Sequence, residues 1–475
     1  MATARDEGPN GRESEAAVHL AEAMRRKSAV QTELAAEGTG WNARSVRGSG
    51  EAEGAVDGHE RSGTDHLMEE VVERGNLLAA LHRVQANKGS PGIDGMTTDA
   101  LVAHLVGNWP ELKARLLDGS YEPQPVRKVE IPKAGGGTRT LGIPTVVDRL
   151  VQQAILQVLQ PRFDPTFSEG SYGFRPGRRA HDAVCAAQRY IQQGLRWVVD
   201  VDLEKFFDRV SHDVLMGRLE RRVGDRRLLG LIRRFLRAGM MADGVVQERH
   251  EGTPQGGPLS PLLANVLLDE VDKELERRGH RFARYADDCN VYVRSKRAGD
   301  DVMALLRGLY AGLHLRVNEA KSAVARPWER KFLGFSFWDA PGREVRRRVA
   351  PKAIASFKEK VRELTARNCG CSLGRVVEDL AAYLRGWKGY FRLAQTPGVF
   401  RELDEWVRHR LRAIQLKHWK RGRTAYRRMR RLGASERTAA TAAANIRRWW
   451  HNAGKLLNAV LTVAFFDRLG LPRLA

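Results

Sequence analysis

A chain of 475 residues is too long for one ordinary domain, and 42% hydrophobic content is enough to build real cores. The formal charge of +23 points to a polyanionic partner, most simply nucleic acid. Four cysteines (Cys185, Cys289, Cys369 and Cys371), no membrane-length apolar run and a polar N-terminus exclude a disulfide scaffold, a helical membrane protein and a secretory leader, and point to a reduced, cytoplasmic setting.

Residues 1–65 carry 8 Lys/Arg against 12 Asp/Glu and are rich in Gly, Ala, Ser and Glu. They read as a flexible acidic extension, with a helix possible near Glu13–Glu37. Helical periodicity runs from Leu67 to Val84 and stops at the breaker cluster Asn87-Lys88-Gly89-Ser90-Pro91-Gly92. Val126 to Lys133 alternates as a strand, Ala134 to Gly137 is a turn, and Thr138 to Ile143 returns, which predicts a hairpin with basic residues beside its turn.

A helix is expected over Asp148–Leu159. The apolar run Trp197-Val198-Val199-Asp200-Val201-Asp202-Leu203 is expected as a buried strand carrying acids. Ser211 caps the next helix, residues 258–277 form another, and Arg281 to Arg294 reads as a second hairpin around Asp287 and Asp288. Leu313–Val317 and Lys331–Trp338 are expected strands, and almost everything after Pro351 is helical. Mixed sheet followed by helices predicts an α+β catalytic body with helical domains behind it.

Nucleotidyl transfer needs two divalent ions, held by two or three carboxylates on neighbouring strands near a basic groove. Asp202, at the end of a buried strand, and the Asp287-Asp288 pair, at a hairpin tip, meet that requirement. Asp200, on the same face as Asp202 by period two, and Asp208, after Phe206-Phe207, compete with Asp202, and spacing does not choose among the three. Lys133 and Arg139 are cations suited to a triphosphate. The loop Gly252-Thr253-Pro254-Gln255-Gly256-Gly257 is bare backbone that admits a template or nucleotide.

Taken in order, these segments resemble bacterial group II intron reverse transcriptases/maturases of the endonuclease-lacking subclass. The likeness is carried by Asn87 to Gly95, Ile131-Pro132-Lys133 with Arg139 to Pro144, Ser171-Tyr172-Gly173-Phe174-Arg175-Pro176-Gly177-Arg178, Asp202 to Asp208, Gly252 to Gly257, Tyr285-Ala286-Asp287-Asp288, Val317-Asn318 with Lys321-Ser322, and Phe332 to Phe335. The resemblance implies a right-hand polymerase of fingers, palm and thumb followed by a helical maturase domain. It selects Asp202, Asp287 and Asp288 as the catalytic and metal-binding residues, with two Mg²⁺ as cofactor. It makes Phe207 the gate against the ribose 2′ hydroxyl, Lys133 and Arg139 the triphosphate cations, and Gln255 the neighbour of the incoming nucleotide. The implied partners are an intron RNA template, a DNA primer or target and deoxynucleoside triphosphates, with the enzyme nucleoid-associated when it acts on DNA.

The expected domains are the extension at 1–65, fingers at 66–195, palm at 196–340, thumb at 341–395 and maturase domain at 396–475. Residues 396–475 carry 18 Lys/Arg against 5 Asp/Glu, more than half of the chain's excess charge. Within them Arg408, Arg412, Lys420 and Trp419, beside Trp406, set cations next to aromatics and are expected to bind RNA. The same spacing also fits an amphipathic helix with a tryptophan core. Two other functions share parts of the pattern. A retron or defence reverse transcriptase would lack the basic helical tail, and a splicing-only maturase would not need an intact Asp202, Asp287 and Asp288.

Overall fold

The computed structural model describes residues 65–132, 137–242, 244–368 and 370–475. The extension at 1–65, Lys133 and Cys369 therefore fall outside the described residues, apart from Asp65. The described chain forms two compact units divided between Arg330 and Lys331.

The first unit opens with helices α1 (Leu67–Val71), α2 (Arg74–Ala86) and α3 (Leu101–Leu117). The single expected helix over Leu67–Val84 is broken because the Glu73 side chain accepts the Asn76 amide and caps a new start. Strands β1 (Val126–Pro132) and β2 (Thr138–Ile143) pair antiparallel, as expected. The long helix α4 (Val146–Phe163) follows, capped by Thr145. Next come α5 (Ala180–Gln192), β3 (Trp197–Val201), α6 (His212–Glu220), capped by Ser211, and α7 (Arg226–Arg237). Short strands β4 (Met240–Ala242) and β5 (Val245–Gln247) extend the first sheet to the order β2-β1-β4-β5.

Helix α8 (Ser260–Arg277) buries Leu262, Leu263, Leu267, Leu268 and Leu275, each worth about 1.5–3 kcal/mol relative to exposure. The hairpin β6 (Arg281–Tyr285) and β7 (Asp288–Val293), helix α9 (Lys296–Gly312) and strand β8 (Ala323–Ala325) complete the unit. The second sheet has the order β6-β7-β3-β8, with β3 antiparallel to both of its neighbours. Residues 313–317, expected as a strand, make a single bridge, Leu203 to Val317; the edge position goes instead to β8. Helix α9 lies on β3 and β7, and α5 on β6 and β7. The apolar run of β3 is thus buried, which explains why it reads as nearly continuous Val.

The second unit starts with the hairpin β9 (Phe335–Ala340) and β10 (Glu344–Val349). Phe335 stacks among Tyr390 and Phe391 of this unit, with ring centroids 5.8 and 5.2 Å away. Residues 331–340, expected with the palm, therefore group with the helices. Those helices are α10 (Pro351–Leu364), α11 (Leu373–Phe391), α12 (Pro397–Trp419), α13 (Gly422–Arg431), α14 (Glu436–Ala444), α15 (Trp449–Lys455) and α16 (Val463–Arg468). Among the described residues, no helix is long and apolar enough to cross a membrane.

Candidate active site

The register of β3 against β7 runs out at Val201 opposite Cys289. One further step brings Asp202 beside Asp288, at the mouth of the β6–β7 turn. Asp202 is fixed from several sides. Its amide donates to Ser322 Oγ at 3.0 Å, its carbonyl accepts from the Asn318 amide at 2.8 Å, and its carboxylate accepts from Lys321 Nζ at 3.0 Å. Asp200, two residues earlier, is spent on structure: Arg330 Nε donates to it at 2.7 Å. Asp208 is exposed at the end of the Phe206–Asp208 turn. The competition that spacing left open is thus separated by partners, with Asp202 alone at the strand end facing the turn.

In that turn Ala286 takes a positive φ of 59°, and Tyr285 pairs with Asp288 across it. Asp287 is drawn inward, and burial pushes its carboxyl above the usual range. The neighbouring charge of Asp202 adds to that rise, while Arg139 and Arg284 oppose it. The Asp202 charge is thus felt at Asp287. Asp288 is more exposed, and among the described residues no three His, Cys, Asp or Glu side chains converge into a ready-made cation cluster.

The turn is held from outside by the Ser171–Arg178 segment. A Cβ on Gly173 would lie 2.3 Å from the Ala286 nitrogen, so only glycine fits against the turn. Arg175, itself buried, donates to Asp164 and to the Ser168 and Ser171 carbonyls, folding the segment upon itself.

Phe207 is buried and meets Phe206 edge-on at 5.0 Å. The Thr253 amide donates to the Phe207 carbonyl at 2.7 Å, which ties the glycine-rich loop to this turn. Gly252 has φ of +87°, and a Cβ there would strike the Phe207 and Asp208 carbonyls. Further along the loop, Gln255 Oε1 accepts from Arg139 Nε at 2.5 Å and the Gln255 carbonyl accepts from the Gly142 amide at 3.0 Å. One unit thus brings together Asp202, Asp287, Phe207, Arg139 and Gln255, drawn from segments far apart in sequence. A half-buried acid pair at a strand end, with a cation on β2 and an amide from the glycine-rich loop, is suited to moving phosphoryl groups.

Residues 131–337 match the family "Reverse transcriptase (RNA-dependent DNA polymerase)", and residues 354–433 match "Group II intron, maturase-specific domain". The chain belongs to the group II intron reverse transcriptases/maturases. Its enzymatic class is RNA-directed DNA polymerase, and its two units have the reverse transcriptase fold and a helical maturase-type region. Protein YkfC of Escherichia coli (strain K12) is 40% identical over 289 residues, covering 52% of this chain and 76% of YkfC. Group II intron-encoded protein LtrA of Lactococcus lactis subsp. cremoris is 37% identical over 208 residues, covering 43% of this chain and 34% of LtrA. The chain thus spans only about a third of LtrA in that match. Among solved structures, a partial Cas6-RT-Cas1--Cas2 complex is 25% identical with a TM-score of 0.34, covering 52% of this chain and 42% of that one.

In the helical unit of this reverse transcriptase, three of the four residues expected at the RNA surface lie in the core. Arg408 is 3% exposed and pairs with Asp404 at 2.9 Å. Arg412 is 8% exposed, donates to the Leu461 carbonyl at 2.8 Å and lies over Phe466; burial pushes its guanidinium down to about 10. Trp419 is buried as well. Lys420 alone of the four is exposed. The physical reason is helix phase. Positions 404, 408, 411 and 412 lie on the stripe of α12 that faces its own unit, and Asp404 supplies a buried counter-charge. The solvent-facing cations lie one helix later: Arg423, Arg427, Arg428 and Arg431 are exposed on α13, and none of them pairs with a carboxylate among the described residues. Trp406 is half-buried, with Lys358, Arg362 and Arg410 each within 6 Å of its ring centre.

Proposed function

We propose that this chain copies RNA into DNA at the end of the β3–β7 ladder, with Asp202 and Asp287 holding divalent metal and Asp288 beside them. The observation that carries this reading is the half-buried Asp287 in the β6–β7 turn, at the end of the β3–β7 ladder where Asp202 stands. Two carboxylates that repel each other fit a hard cation that keeps its remaining oxygen ligands from water and phosphate, as Mg²⁺ does. Two such ions, when bound, would lower the pKa of the primer 3′ hydroxyl and neutralise the leaving pyrophosphate. Arg139, which donates to Gln255, would meet a triphosphate, with Lys133, outside the described residues, as the second cation. Phe207 would crowd a ribose 2′ hydroxyl, which favours deoxynucleoside triphosphates.

On this reading the fingers (66–195) and palm (196–330) carry polymerisation. The hairpin and thumb (331–395) and maturase region (396–475) grip intron RNA to promote splicing and mobility, and the enzyme works at the nucleoid when it engages a DNA target. The exposed arginines of α13, together with Lys420, are the side chains offered to that RNA, in place of Arg408, Arg412 and Trp419.

The test is Asp287→Ala. Primer extension on an RNA template is expected to fall at least about a thousandfold, in line with loss of metal-held charge stabilisation. Binding of intron RNA in a filter assay is expected to stay within about twofold, because this carboxylate makes none of the proposed RNA contacts. Substantial residual extension would reject the site.

A further inference from the structure

Beneath the β6–β7 turn lies a group of polar side chains that the chemistry above does not use. Arg284, on β6, is 1% exposed, and Asp272, on α8, is fully buried. Arg284 donates to Asp272 from Nε at 2.8 Å and from Nη2 at 2.5 Å. Its remaining donors are not idle. Nη1 reaches the Ala286 carbonyl at 2.9 Å and Asn265 Oδ1 at 3.0 Å, and Nη2 reaches Ser171 Oγ at 2.7 Å. Asn265 in turn donates to the Gly173 carbonyl at 2.9 Å. The backbone repeats the attachment: the Arg284 amide donates to the Gly170 carbonyl, and the Tyr172 amide to the Arg284 carbonyl.

A buried ion pair contributes little stability for its own sake, because desolvation offsets most of the attraction. What this one does is geometric. The Ala286 carbonyl is the peptide oxygen immediately before Asp287, in a turn whose Ala286 sits at an unfavourable positive φ. A planar guanidinium with five donors fixes several acceptors at once, which no other side chain does.

We infer that Arg284, oriented by Asp272, is a positioning residue for DNA synthesis: it clamps the Ala286 carbonyl and the Ser171–Gly173 segment, and so sets where the Asp287 carboxylate stands relative to Asp202. The inference rests on the assignment of Asp287 to the metal site. It predicts that loosening the clamp misplaces one carboxylate while substrate-binding surfaces stay intact, and a misplacement of about 1 Å costs on the order of a hundredfold in rate.

The experiment compares the full-length Arg284→Met/Asp272→Leu double variant with wild type. The double variant removes both charges, so no unpaired buried charge is left to unfold the chain. The expected result is a kcat lower by roughly 10–100-fold, a several-fold rise in the Mg²⁺ concentration at half-maximal rate, and unchanged KM for deoxynucleotide and Kd for RNA. Arg284→Lys is the second variant. It keeps a charge against Asp272, but one ammonium cannot span Ala286, Asn265 and Ser171 together, so the same two shifts are expected. Wild-type kcat and Mg²⁺ dependence in whichever of these variants folds would overturn the inference. Asp287→Ala, run alongside, separates the two claims. Extension retained in Asp287→Ala removes the metal-site reading and the clamp with it. An inactive Asp287→Ala beside a fully active clamp variant leaves that reading standing and removes the clamp alone.

Discussion

The end of the palm sheet and helix α12 use charge in opposite ways. At the sheet end, the chain brings two acids of like sign together, Asp202 and Asp287, and leaves them a route to solvent. On α12 the chain pairs unlike charges, Arg408 with Asp404, and closes them into the core. The Leu474 and Ala475 amides also donate to Asp404, so that pair ties down the last residues. Like charges held close raise free energy, and Lys321 offsets only part of it from the Asp202 side, so the pair is suited to a cationic ligand. Unlike charges satisfied in the interior mark a place where the fold is fastened. A basic residue in a basic region is therefore not by itself a nucleic-acid contact; its counter-charge decides.

The widest way to break this comparison is Arg408→Ala. Removing one partner of a buried pair should cost about 3–5 kcal/mol, read as a lower denaturation midpoint of the full chain. RNA affinity of the folded fraction should not change. A stable variant with weakened RNA binding would restore Arg408 to the RNA surface. A somewhat smaller effect is expected at a third kind of buried charge, Asp148. Burial pushes its carboxyl up to about 6, against the lowering effect of the Thr145 and Tyr121 hydroxyls and the Gln124 amide. Since this folded-state value lies above the ordinary 3.8, its contribution to stability is full below about 3.8 and is lost as pH rises through about 6. Relative to Asp148→Asn, wild type should lose up to about 3 kcal/mol between those limits, and parallel pH profiles of the two proteins would refute it. The smallest effect per residue belongs to α13. Neutralising Arg423, Arg427 and Arg431 to Gln should leave the denaturation midpoint in place and reduce the salt slope of RNA binding by roughly one per arginine. An unchanged slope would make α13 a merely solvated face.

Much of the catalytic unit was legible before any coordinates. Alternation showed the Val126–Ile143 hairpin and the Arg281–Arg294 hairpin, and the short apolar run showed β3, although Asp288, expected at the hairpin tip with Asp287, begins β7 instead. These signals are local: strand period and turn chemistry act between near neighbours. The α12 reading failed for a related reason. Helical spacing defines a stripe, but Arg408 and Arg412 could occupy either the solvent stripe or the core stripe: the Asp404–Arg408 spacing suits an exposed pair equally well, and the sequence near Arg412 does not reveal the Leu461 carbonyl that receives it. Likewise, Arg284 in Arg284-Tyr285-Ala286-Asp287-Asp288 reads as one more basic residue until Asp272, Asn265 and Ser171 are seen around it.

By itself, then, the sequence determined the kind of chemistry and the family: the order of its motifs, the acids at strand and turn positions, and the basic helical region that follows. Tertiary structure decided that Asp200 is tied to Arg330, and which arginines are buried. The reason is that a side chain's protonation and exposure depend on what surrounds it in space, and those neighbours come from segments more than a hundred residues away, as Ser322 and Lys321 do for Asp202.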